Sequence, residues 1–105
     1  SGMFRKSARQ TVAVTLLELR GQIGRCESLP KPKKEEKLRS LLNDANAMRY
    51  EAMRQGARSY GHPIWAAAAA SETWLQVLIQ HQCGAIDDAT LFATNELIND
   101  LIKNH

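Results

Sequence analysis

Six aromatic residues, three prolines and two cysteines are all that this chain of 105 residues holds of those types. The cysteines, Cys26 and Cys83, form no CxxC pair or other metal-ligand spacing, which argues against a zinc module built on clustered thiols. Two thiols in a chain with no secretory pattern are expected to be reduced rather than bridged. Long apolar runs are also missing. The stretch Thr11 to Leu17 ends at Glu18, far short of the roughly 20 residues that span a bilayer. It lacks the small-residue cleavage site of a signal peptide, so a cytoplasmic location is expected. No segment alternates apolar and polar residues for long enough to form a strand. Glycine-rich phosphate loops are absent: Gly21 and Gly24 lie inside a helical pattern and follow no strand.

The groups that carry chemistry are equally sparse. Of the three histidines, His105 is terminal and His62 stands in the turn Tyr60-Gly61-His62-Pro63. His81 is two residues from Cys83, and residues two apart on a helix point in different directions. A Cys–His nucleophile pair is therefore not expected. There is no His-x-x-x-His, no Glu-x-x-His and no inward carboxylate cluster. No cofactor, metal site or enzymatic activity is expected.

What the chain does have is helical periodicity. Hydrophobic residues make up 44% and charged residues 24%, which suits one globular domain. That domain is expected over residues 3–105, with Ser1 and Gly2 read as a tag remnant before Met3. Ala8, Val12, Leu16, Leu19, Ile23 and Cys26 recur at steps of four and three, predicting a helix over about 4–28. Pro30 and Pro32 end it. Leu38, Leu41, Ala45, Met48 and Ala52, widened by Leu42 and Met53, predict a second helix over about 33–60. Glu35 and Glu36 suit its first turn, Arg54 and Arg58 its last, and Gly61 is its expected stop. Pro63 opens a third, over 63–82, and Gly84 ends it. Ile64, Ala67, Ala70, Ser71, Trp74, Val77 and Leu78 share its apolar face, with Leu75 and Ile79 widening it. So broad an arc places this helix centrally. Asp87 or Asp88 caps a fourth, over about 88–103, with Leu91, Thr94, Ile98, Leu101 and Ile102 as its stripe. The expected fold is all-α: a small antiparallel four-helix bundle whose first two helices are longer than the last two and project in part as a hairpin.

Charge divides the chain. Residues 1–60 hold 13 of the 14 Lys and Arg against six acids, a balance of +7. Residues 61–105 hold Lys103 against five acids, a balance of −4. A basic half of this kind meets an acidic partner, or is neutralised by the other half.

The expected function is a non-enzymatic, protein-binding or regulatory bundle. Its partner-contact residues are expected to be Arg49, Arg54, Arg58, Tyr60 and Trp65, around the junction of the second and third helices. Arg49 falls within the apolar stripe by helical phase, so it must reach solvent, pair with an acid such as Glu18 or Asp100, or face a partner. Trp65 falls opposite Trp74, among Glu72, Gln76 and Gln80, and Phe92 lies off the stripe of the fourth helix. Ala13, Leu17, Gly21 and Gly24 form a second side of the first helix with Val14 beside them. Such small residues admit another helix, either the third helix of the same chain or a second copy in a homodimer. The alternative is a nucleic-acid-binding regulator using Arg5, Lys6, Arg9 and the cluster Lys31, Lys33, Lys34 and Lys37. A membrane partner is not expected, because Glu18 and Glu27 stand on the polar side of the first helix.

Overall fold

A computed structural model describes the backbone of residues 2–56 and 61–103, with side chains from Ala8 onward. Four α-helices account for nearly all of it: α1 Gly2–Cys26, α2 Lys31–Arg54, α3 Pro63–Gln82 and α4 Asp88–Lys103. There is no strand among the described residues. The helices pack as the expected bundle, and α1 and α2, at 25 and 24 residues, are longer than α3 and α4, at 20 and 16.

Local chemistry sets the helix ends; α1 finishes at Cys26, two residues short of the expected Ser28, and both expected boundaries of α2 move. Helix α2 starts at Lys31, not Lys33, because a proline is tolerated in a first turn that needs no N–H from it. Pro32 sits inside that turn and Pro30 takes the cap position, with φ −55° and ψ 148°. The first turn thereby loses its expected acids, since Glu35 and Glu36 fall a turn too late. The other end of α2 is also earlier than expected. Gly56, not Gly61, stops the helix: it adopts φ 92° and its N–H returns to the Met53 carbonyl at 3.0 Å. The left-handed region suits glycine, which has no Cβ to clash.

Helix α3 matches its expected span. The Ile64 N–H donates to His62 Nδ1 at 3.2 Å, so His62 is a cap residue. At its far end the Ala85 N–H reaches the Gln80 carbonyl at 2.8 Å and the Gly84 N–H reaches that of His81 at 3.0 Å. Gly84 has φ 81°, and together these form a Schellman stop. Asp87 then caps α4, its Oδ1 accepting from the Thr90 N–H at 2.9 Å.

Helix α3 is the centre of the molecule. Ala66, Ala67, Ala68 and Ala69 are all buried in succession, which a helix with one solvent face does not permit. It packs on α1, α2 and α4, whereas α2 and α4 do not meet. The expected projecting hairpin of α1 and α2 is not formed: these two helices barely touch and each leans on α3 instead. Alanines explain the choice, because a small surface lets two long helices approach the third closely. The main core combines Leu16, Leu19 and Ile23 of α1 with Leu38, Leu41 and Ala45 of α2. Trp74, Leu75 and Ile79 of α3 and Ile98 and Ile102 of α4 complete it. Ile64, assigned above to the apolar face of α3, is 41% exposed at the helix start. The described structure extends over 45 × 28 × 22 Å.

Candidate functional site

Arg49 resolves one of the sequence expectations in favour of the fold. Its Nε donates to Glu72 Oε1, and its Nη1 lies 3.6 Å from Met53 Sδ. The guanidinium also stands 5.0 Å from the Tyr50 ring centroid. The Glu72 side chain keeps only 10% of its exposure and Arg49 keeps 26%. The hydrogen bond that Arg49 donates to Glu72 is the main influence holding the guanidinium above its already high ordinary pKa, while burial opposes it. The pair is thus an internal link from the basic half to the acidic half. The expected partners Glu18 and Asp100 are not the ones used, and Glu72 is not on a solvent face. Its burial follows from the central position of α3. Helix register carried a signal: Arg49 lies five residues before the end of α2 and Glu72 nine residues after the start of α3, which brings them within about one turn.

The rest of the expected junction site is not gathered into a patch. Arg54 is well exposed and bridges Glu51 on its own helix at 3.4 Å. Trp65 is half-buried at the start of α3 rather than an exposed ring. Arg58 and Tyr60 lie outside the described residues.

The two basic groups are kept apart. Arg9 is exposed near the beginning of α1, and the side chains of Arg5 and Lys6 lie outside the described residues. Lys31, Lys33, Lys34 and Lys37 open α2, just beyond the other end of α1. Seventeen residues of helix separate Arg9 from Cys26, a rise of about 25 Å. These groups therefore do not make one surface. Lys34 is bridged to Glu27 at 3.0 Å, whereas Lys31, Lys33 and Lys37 are exposed and in no ion pair among the described residues.

The second side of α1 divides. Ala13, assigned to it above, is buried at 2% exposure, because its phase brings it next to Leu16 on the inner side. Val14 and Leu17, by contrast, are 61% and 49% exposed. Gly21 and Gly24 are exposed on the same side. A Cβ on Gly24 would meet nothing within 4 Å, and one on Gly21 would meet only the end of the Arg25 side chain at 3.7 Å. No neighbour among the described residues requires these glycines. Val14, Leu17, Gly21 and Gly24 follow one another at steps of three, four and three, the spacing of a helix-pairing seam. Glu18 and Arg25 flank the seam, both exposed and neither in an ion pair among the described residues.

The reactive groups are held by neighbours. His81 Nε2 lies 2.7 Å from Asp88 Oδ1, a link between the end of α3 and the start of α4. The Cys83 thiol donates to Glu35 Oε1 at 3.3 Å, and that bond pushes its pKa up, making it a weaker nucleophile. Cys26 is buried and its thiol donates to the Gln22 carbonyl. Among the described residues no three His, Cys, Asp or Glu side chains are grouped to hold a metal ion. Nor is any described helix long and apolar enough to cross a membrane. Comparison with protein-family models, curated proteins and solved structures finds no significant match to this chain.

Proposed function

We propose that this protein is a non-enzymatic, protein-binding helical bundle that acts through the outer side of α1, and that a second copy of the chain is its first partner. The observation that carries the reading is the seam itself: Val14 and Leu17 are exposed beside two helix-interior glycines that the fold does not need. Interior glycine costs about 1 kcal/mol relative to alanine, so its retention without an internal neighbour favours close approach from outside. Charge selects the orientation. If the seam is written as a heptad, Glu18 and Arg25 occupy equivalent flanking positions. An antiparallel copy centred near Gly21 sets Glu18 of each chain against Arg25 of the other. A parallel copy instead sets Arg20 near Arg25, like charge against like. A two-fold axis makes the antiparallel contact self-complementary.

Sedimentation equilibrium over a wide concentration range tests this. The wild type is expected to dimerise, and Leu17→Glu to remain monomeric with unchanged helicity. Glu18→Arg should weaken the dimer, and the exchange Glu18→Arg with Arg25→Glu should restore it. A wild type that stays monomeric at the highest concentration overturns the second-copy contact.

A second reading, contact with nucleic acid, is favoured by one observation. The first turn of α2 carries Lys31, Lys33 and Lys34 with no acid, and Lys37 follows one turn on. Binding to random-sequence DNA at low salt, falling steeply as salt rises, is the expected result. Negligible affinity at low salt removes this reading.

A further inference from the structure

A cleft of about 210 Å³ lies between α1 and α2, where these two helices barely touch. Leu19 of α1, Leu41 and Met48 of α2 and Leu75 of α3 give it an aliphatic lining. Two carboxylates stand on it from opposite helices, Glu18 of α1 and Asp44 of α2. Among the described residues that line it there is no Lys or Arg. That is unusual in the basic half of the chain. There Glu27, Glu35 and Glu51 each answer a cation, at 3.0, 3.7 and 3.4 Å. Glu18 and Asp44 are exposed and make no ion pair among the described residues.

Glu18 belongs to two surfaces at once. It lines this cleft and it flanks the α1 seam, so the cleft continues the seam onto α2. Arg25, the other flanking charge, is also exposed and in no ion pair among the described residues. Its Nη1 lies 3.7 Å from where a Cβ on Gly21 would stand. In the single chain the guanidinium thus lies back over a glycine of the seam. A second helix closing on Gly21 must displace it.

We propose that the cleft between α1 and α2 is the socket for Arg25 of a second copy, held by Glu18 and Asp44 together. The inference rests on the antiparallel pairing proposed above and extends it to a second helix. As the pair forms, each Arg25 leaves Gly21 of its own chain and reaches the carboxylates of the other. Its methylene stem lies on the aliphatic lining. A guanidinium offers five N–H donors in a planar fork, enough to serve two carboxylates, whereas the ammonium of lysine is a compact point charge. Arginine seated in an interface pocket is a frequent source of binding energy.

Sedimentation equilibrium of full-chain variants tests the socket. A lone charge pair between Glu18 and Arg25 would let Asp44→Asn and Arg25→Lys dimerise like the wild type. The socket predicts that each weakens the dimer about tenfold, the equivalent of about 1.4 kcal/mol. The thermal midpoint at concentrations where the chain is monomeric should not change, because Asp44 and Arg25 are unpaired there. An equimolar mixture of Asp44→Arg and Arg25→Glu chains should associate more tightly than either alone. It re-forms one native socket and sets the new acid against the new base in the other. Wild-type association by Asp44→Asn or by Arg25→Lys overturns the socket and leaves the α1 pairing standing. A wild type that is monomeric throughout overturns both.

Discussion

At the scale of single residues, what decides the behaviour of a charged or reactive group here is the neighbour it is given. Arg49 looked available in the sequence because its phase within α2 was readable while the burial of Glu72, which follows from the packing around α3, was not. Its pairing with Glu72 predicts a specific pattern in a double-mutant cycle. Arg49→Met leaves Glu72 buried without a partner and should lower stability more than the double change Arg49→Met with Glu72→Leu, which removes both charges. Urea unfolding of the three proteins measures this, and additive losses would refute it. Cys83 supplies a second prediction. Its thiol pKa is raised by the hydrogen bond to Glu35, so the folded state favours the neutral thiol. The stabilisation this brings is present below the ordinary thiol pKa and is lost as pH rises through the higher folded value. Glu35→Gln should therefore speed alkylation of Cys83 near pH 8, and an unchanged rate would show that Glu35 does not control the thiol.

At the scale of elements, the existence and type of all four helices were legible, since each carries an apolar stripe at the helical period. The spans of α3 and α4 followed from Pro63, Gly84 and Asp87, which act through their own backbones and need no distant neighbour. The ends of α2 were less legible. Two prolines near a start look like a break, although one of them fits within the first turn. Gly61 was the expected stop, but the chain leaves the helix earlier, at Gly56, which takes a positive φ. The glycines of α1 give the prediction that belongs here. Gly24→Ala should stabilise the isolated chain by about 0.4–1 kcal/mol, because alanine is the better helix former and the added methyl meets nothing. If the seam is an interface, the same change should weaken dimerisation. Thermal unfolding at low concentration separates the two effects, and a loss of monomer stability would reveal an internal neighbour for Gly24.

At the scale of the molecule, the controlling feature is a central helix whose first half holds five alanines in succession. Ala66 to Ala69 let α1 and α2 come close to α3, and the two long helices then barely touch each other. Ala68, at 0% exposure, should not tolerate growth. Ala68→Leu is expected to cost about 1–3 kcal/mol through overpacking, and Leu75→Ala about 2–5 kcal/mol through the cavity it leaves. Denaturant midpoints check both, and a neutral Ala68→Leu would show that α3 is not the packing axis.

The same helix separates what one dimension contains from what three decide. By itself the sequence determined the all-helical class, the number of helices, most of the caps and the division of charge, because periodicity and capping act within a few residues of chain. Only the tertiary structure decided that α1 and α2 each lean on α3 and barely touch one another, that Glu72 is buried against Arg49, and that Ala13 faces inward while Leu17 faces out. Those outcomes depend on which faces meet when alanine, leucine and charged side chains compete for the same central space, and that competition is between residues far apart in the chain.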